Sequence, residues 1–316
     1  MQLTEASPAG RGTLARAQLT AMIQEAIPGG SLLAIRQMRQ GSSALAREVI
    51  VSAGTRGRRR LILRCFPVEW QGSPREKVER ERIALAALSG SRLPVPEVLW
   101  TDPSGERLGY PALLQTRLPG RVSWRRAAGP RAAHAMGRVL AGIHAVGWPI
   151  GLPHARAWVR RTMQSEPARR EWLRAHRRAE AIATVITRAQ NRVMQRPSVL
   201  SHGDFNAGNV LWSGNELSGV VDWETAELAP AASDVGACRF DSAVTGGPDM
   251  AEGFLAGYGS EVDDLWFWEL ITALKFVTLY REWLPIWRRF GLLELDEETV
   301  GKRIDAAIED ALDRAG

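Results

Sequence analysis

Leu200-Ser201-His202-Gly203-Asp204-Phe205-Asn206-Ala207-Gly208-Asn209-Val210-Leu211-Trp212 is the stretch of this 316-residue chain that decides how the rest is read, with Gly219-Val220-Val221-Asp222-Trp223-Glu224 close behind it. Asn209–Trp212 and Leu217–Val221 are apolar runs, and Ser213-Gly214-Asn215-Glu216 between them has the composition of a hairpin turn. Folding that hairpin brings Asn209 and Asp222 together at its open end. An amide oxygen and a carboxylate converging there suit Mg²⁺, a hard cation that prefers oxygen ligands and keeps several waters. Asp204 stands five residues before Asn209, and His202 two before Asp204.

Transfer of a phosphoryl group needs such a set. One carboxylate orients the attacking hydroxyl, while an amide and a second carboxylate hold the metal against the phosphates. Protein kinases separate base and metal-binding amide by five residues in their catalytic loop, the spacing of Asp204 and Asn209. A His-Gly-Asp tripeptide alone is common in turns. Four polar groups at fixed offsets inside a strand–loop–hairpin context form a much stricter pattern.

Outward from this stretch the chain changes character once. Residues 13–26 repeat apolar positions three and four apart, which predicts an amphipathic helix that Pro28-Gly29-Gly30 stops. Strand-like runs follow at Leu32–Met38, Ala44–Ser52 and Arg60–Cys65. Ser73-Pro74 opens a helix over Arg75–Leu88. Two further strands, Glu97–Thr101 and Tyr110–Arg117, flank the turn Asp102-Pro103-Ser104-Gly105. From Pro119-Gly120 onward the pattern is mainly helical, interrupted by Val199–Ser201 and the hairpin. The expected fold is α+β in two lobes with a cleft between them. Residues 1–118 would form a small antiparallel-sheet N-lobe for nucleotide, and 119–316 a larger, mainly helical C-lobe for catalysis and acceptor binding.

The quoted segment resembles the catalytic core of the aminoglycoside phosphotransferase-like family, which also includes choline, homoserine and fructosamine kinases and has a protein-kinase-like fold. The resemblance implies Asp204 as catalytic base and Asn209 and Asp222 as magnesium ligands, with ATP or GTP as co-substrate. Ser233-Asp234-Val235-Gly236 is similar to a later Asp segment of the family, which implies that Asp234 supports the catalytic loop. Arg64, ending Leu61-Ile62-Leu63-Arg64, occupies the place of the phosphate-pairing lysine on the third strand, and Arg also pairs with phosphate. Its helix partner is Glu81 or Glu79. Glu81 is favoured because Leu85 and Leu88 then share its face. Gly41-Ser42-Ser43 either lays backbone N–H groups over the phosphates, with Ser42 and Ser43 as contacts, or is an ordinary hairpin turn. Gln115 and Arg117, in Leu114-Gln115-Thr116-Arg117-Leu118, resemble the interlobe hinge, where backbone meets the purine. His144 reads as a helix-packing histidine.

Composition bounds the rest. Hydrophobic residues make up 45% and charged residues 24%, ordinary for a globular protein. Two cysteines give no disulfide framework or metal spacing, which fits a reducing cytoplasm. No signal peptide or membrane-crossing run is read. The net charge of +6 comes without a nucleic-acid motif or aromatic interleaving, so no nucleic-acid partner is expected. The chain is expected as a monomer or homodimer.

The acceptor is read as a small molecule bearing a hydroxyl, an aminoglycoside or other antibiotic, with a choline, homoserine or fructosamine type of metabolite as alternative. A non-catalytic nucleotide-binding protein is the other alternative. Asp263, Asp264, Glu269, Glu294, Asp296, Glu297 and Glu298 either line an acidic pocket or sit at helix starts facing solvent. Trp266, Trp268, Trp283 and Trp287 either wall a flat or cationic ligand or fill a core. The Arg-rich stretch 156–196 reads as a solvated helical hairpin or as an attractor of anions. A kinase acting on polypeptides would carry an Ala-Pro-Glu segment after the second Asp, and Thr225–Phe240 contains none.

Overall fold

The computed structural model describes residues 14–38, 44–54, 57–67, 73–127 and 129–316. Gly41, Ser42 and Ser43, read as phosphate contacts or as a hairpin turn, lie outside the described residues. Contacts divide the chain into unit 1, Met1–Ser89 with Pro96–Arg117, and unit 2, Gly90–Val95 with Leu118–Gly316.

Unit 1 runs α1 (Arg16–Ala26), β1 (Ser31–Gln37), β2 (Leu45–Ser52), β3 (Arg58–Cys65), α2 (Pro74–Leu88), β4 (Val98–Asp102) and β5 (Ala112–Thr116). The strands form one antiparallel sheet in the order β1-β2-β3-β5-β4. Successive strand residues point to opposite faces, and this alternation sorts the core. Leu61, Leu63 and Leu114 join Leu19, Met22 and Ile23 of α1 in one cluster. Leu113 lies on the other face with Val78 of α2 and Phe66. Arg64, between Leu63 and Cys65, therefore falls on the α2 side.

Unit 2 begins with β6 (Arg121–Val122), α3 (Trp124–Ala127), α4 (Pro130–His144), α5 (Arg156–Met163), α6 (Glu166–Ala175) and α7 (Ala179–Val193). It continues through β7 (Ser198–Ser201), β8 (Val210–Ser213), β9 (Glu216–Val220) and β10 (Glu227–Pro230). It closes with α8 (Ala232–Gly246), α9 (Pro248–Tyr258), α10 (Leu265–Arg289) and α11 (Glu297–Arg314). β7 pairs antiparallel with β10, and β8 lies between β6 and β9. Sequence reasoning missed β6 because it has only two residues. It missed β10 because all four positions are buried, leaving no alternation to read.

α4 and α9 come backbone to backbone at two glycines. A Cβ on Gly137 would collide with the Phe254 carbonyl, and one on Gly257 with the His134 carbonyl. Part of the Arg-rich stretch is engaged in ion pairs: Arg169 with Glu180, Arg178 with Glu309 at 2.5 Å, and Arg192 and Arg196 with Asp264 at 2.7 and 2.8 Å. Among the described residues no helix is long and apolar enough to cross a membrane.

Candidate active site

The loop leaving β7 is held before it can act. His202 is fully buried, its ring 4.5 Å from that of Trp223. Its Nδ1 accepts from the Asp204 N–H at 3.3 Å, which assigns the ring proton to Nε2, donating to the Val221 carbonyl at 3.0 Å. Gly203 has φ +79°, and a Cβ there would run into the Thr225 carbonyl. This position accepts only glycine without strain.

Asp234, in the first turn of α8, is the clamp on this loop. Its carboxylate accepts from the backbone N–H of His202 at 2.7 Å and of Gly203 at 2.9 Å. His144 Nε2 lies 3.2 Å away, and His144 Nδ1 lies 2.9 Å from the Tyr258 hydroxyl. Burial alone would raise the Asp234 carboxyl. The hydrogen bond and charge of His144, with the backbone donor of His202, outweigh it, and the group is held below the ordinary carboxylate range. His144 is thus more than a packing residue. It links α4 and α9 to the loop.

Asn209 closes the short 3₁₀ turn Ala207–Asn209. Its amide donates to the Asp204 carbonyl at 2.8 Å and to Asp204 Oδ2 at 3.0 Å. The hairpin then returns the chain: Val210 faces Val220 in register, and the Val221 N–H donates to the Asn209 carbonyl at 3.0 Å. Asp222 follows immediately with φ +73°, one of two non-glycine residues among those described with positive φ. Such a conformation in an aspartate costs free energy and concentrates at functional positions.

The Asp204 side chain is 43% exposed, with Lys275 Nζ of α10 at 3.9 Å from Oδ1. Surrounding protein that displaces water pushes its carboxyl above the ordinary range, and the charge of Asp222 adds to this; Lys275, His202 and the Asn209 hydrogen bond oppose it. Lys275 was not singled out in the sequence. A signal existed: it is one of three lysines in a chain whose other basic residues are arginine. Its ammonium also lies over the Trp283 ring at 5.4 Å from the centroid.

In unit 1, Arg64 Nη1 meets Glu81 Oε1 at 2.9 Å with both side chains buried, and the guanidinium lies over the Phe66 ring. Glu79 pairs instead with Arg82 on the exposed face. Gln115 is buried on β5, its Oε1 without a hydrogen-bond partner among the described residues. Arg117 Nε pairs with Glu48 at 3.1 Å.

Several of the acids read either as an acidic pocket or as helix starts facing solvent have partners of their own. Glu269 is buried and paired with Arg239 at 2.6 Å and with Arg314. Asp296 caps α11, Glu297 pairs with Arg281 at 2.6 Å and Glu298 with Lys302 at 2.6 Å. Trp268 and Trp287 are core residues, and Trp283 and Trp287 cluster with Phe276.

Unit 1 carries a buried ion pair on its five-stranded sheet, and unit 2 gathers two acids and an amide by a clamped loop and hairpin. The chain belongs to the phosphotransferase enzyme family, whose model matches residues 35–269. A homoserine kinase of Chelativorans sp. (strain BNC1) is 30% identical over 207 residues, covering 58% of this chain and 61% of that protein. A homoserine kinase of Methylobacterium nodulans is 32% identical over 145 residues, 42% of either chain. Less than two thirds of each of these relatives is spanned. Among solved structures, the GDP complex of an aminoglycoside 2′-phosphotransferase superposes with TM-score 0.57 at 17% identity, covering 96% of this chain and 99% of that one. The chain shares the two-lobed, protein-kinase-like fold of such enzymes.

Proposed function

We propose that this protein moves the γ-phosphate of ATP or GTP onto a hydroxyl of a small molecule. The observation that carries the reading is the loop–hairpin unit. Asn209 bonds to Asp204 at 3.0 Å while the hairpin returns Asp222 beside Asn209. Asp204 orients the acceptor hydroxyl and takes its proton as the oxygen attacks in line. Asn209 and Asp222 would hold Mg²⁺, which supplies neutralisation of charge on the phosphates. A donor set limited to one amide and one carboxylate suits an ion that keeps waters and phosphate oxygens in its shell. Arg64, fixed by Glu81, is proposed to pair with phosphate. Gln115 and Arg117 belong to the segment proposed to meet the purine through its backbone.

The first reading of the acceptor is an aminoglycoside or other antibiotic, as the solved structure's name suggests. The second, an amino-alcohol metabolite of the homoserine type, is favoured by the sequence relatives. It is also supported by the arginines that neutralise Glu269 and Asp264, since a polycation binder needs unpaired acids. Buried free Cys65 and Cys238 fit a reducing cytoplasm. Burial raises the Cys65 thiol to about 11, keeping it unreactive.

Substitution of Asp204 by alanine tests the reading. Transfer is expected to fall by about 10²–10⁴-fold while nucleotide still binds. A variant transferring phosphate near the wild-type rate removes Asp204 from the mechanism. A nucleotide-consumption screen over aminoglycosides, macrolides, homoserine and choline then separates the acceptor classes.

A further inference from the structure

Asp204 turns its two oxygens to different neighbours. Oδ2 accepts from the amide of Asn209, a residue proposed to hold the metal, at 3.0 Å. Oδ1 faces Lys275 of α10, whose ammonium stands 3.9 Å away. Metal and phosphates are thereby drawn to the Oδ2 side, and the ammonium stands on the side left for the acceptor.

Asp204 does not use up this ammonium. At 3.9 Å the two groups attract by charge without a hydrogen bond, and with 49% and 43% of the side chains exposed, water screens the attraction. The Trp283 ring, its centroid 5.4 Å from the nitrogen, steadies the ammonium through the ring face. Neither contact takes up the three N–H donors. Lys275, Leu279 and Trp283 follow one another at four-residue steps on α10, so they share a face, and none of the three is buried. That face offers one cation followed by apolar surface, the reverse of what a polycation needs.

A hydroxyl held by Oδ1 at about 2.7 Å lies within about 7 Å of the ammonium. A chain of about three carbons between that hydroxyl and an anionic group spans the gap. One ammonium balances one carboxylate, whereas a doubly charged phosphate beside Asp204 would leave negative charge in excess.

We propose that Lys275 is the specificity-determining residue of the acceptor site, donating to a carboxylate of the acceptor while Leu279 and Trp283 cover its carbon chain. The inference rests on the phosphotransferase reading and narrows the acceptor to hydroxy acids, with or without an amine, over polycationic sugars.

The test uses the full chain and two pairs that differ by the carboxylate alone: homoserine against 3-amino-1-propanol, and 4-hydroxybutyrate against 1-propanol, with kanamycin as a polycationic probe. Turnover is followed by release of nucleoside diphosphate, and binding by calorimetry with a non-hydrolysable Mg²⁺–nucleotide analogue present. In the wild type the carboxylate-bearing member is expected to exceed its partner in kcat/KM by at least about tenfold. Lys275→Met, which keeps the length of the side chain, should bring each pair within about twofold, chiefly through KM, while Lys275→Arg should retain the preference. Lys275→Glu should turn it round, towards 3-amino-1-propanol and kanamycin. A carboxylate preference that survives Lys275→Met overturns the proposal, as does a wild type without one. So does a Lys275→Met variant that lowers kcat equally for both members of each pair, since Lys275 would then act on Asp204 alone. Binding of hydroxy acids through Lys275 without transfer to any probe defeats the phosphotransferase reading instead.

Discussion

Asp222 holds φ at +73°, and the side chain that stores this strain is the one proposed to meet the metal. Asparagine tolerates the left-handed region at least as well as aspartate, whereas alanine does not. Asp222→Asn is therefore expected to melt near the wild-type temperature while losing affinity for Mg²⁺–nucleotide much more than for metal-free nucleotide. Asp222→Ala should lose the same affinity and, in addition, about 1 kcal/mol of stability. Equal loss of both nucleotide forms in the asparagine variant would make Asp222 a structural residue only. Gly203 offers a purely steric counterpart. Gly203→Ala puts a methyl into the Thr225 carbonyl and pulls the loop from Asp234, so stability should fall by about 1–3 kcal/mol in denaturant melts and turnover with it. These residues were legible in the sequence because loop and hairpin are local: spacing alone brings Asn209 to Asp204 and Asp222 to Asn209.

At the scale of elements, legibility depends on whether one element's period suffices. The choice between Glu79 and Glu81 turns on two periods at once. Strand alternation sends Arg64 to the α2 side, and the helix stripe of Val78, Leu85 and Leu88 carries Glu81 inward. Arg64→Ala breaks its buried ion pair with Glu81, so unit 1 is expected to lose about 3–5 kcal/mol, measurable by chemical unfolding. Arg64→Lys should lose less but bind nucleotide more weakly, because the fork is gone. Asp241, Lys275 and the pairing of Glu269 with Arg239 and Arg314 were not legible. They depend on how α8, α10 and α11 dock, which no single helix's pattern encodes. The same holds for His144, whose apolar helix hides its link to Asp234 and Tyr258.

For the whole molecule, the opposed carboxyls give stability a pH signature. Burial raises Asp241 to about 7, with Asp204's charge adding to the shift. Its unfolded value lies near ~3.9, so the folded chain binds the extra proton between these limits, and stability from this group declines as pH rises from about 4 to 7. Asp234 acts in the opposite sense: its lowered value contributes stability that is lost as pH falls below the ordinary carboxylate range. Asp241→Asn is therefore expected to match the wild-type melting temperature near pH 4 and exceed it at pH 7. Equal melting temperatures at both values would show that the Asp241 carboxyl is not under this strain.

The glycine seam between α4 and α9 bears on how such an enzyme could diversify. With backbone against backbone at Gly137 and Gly257, any side chain added at either position would force the seam apart. Tyr258 at the end of α9 and His144 at the end of α4 transmit any displacement directly to Asp234. Substitutions here would disturb the catalytic loop before they altered what the enzyme accepts. The α4–α9 pair thereby serves as the keel on which the loop after β7 is set.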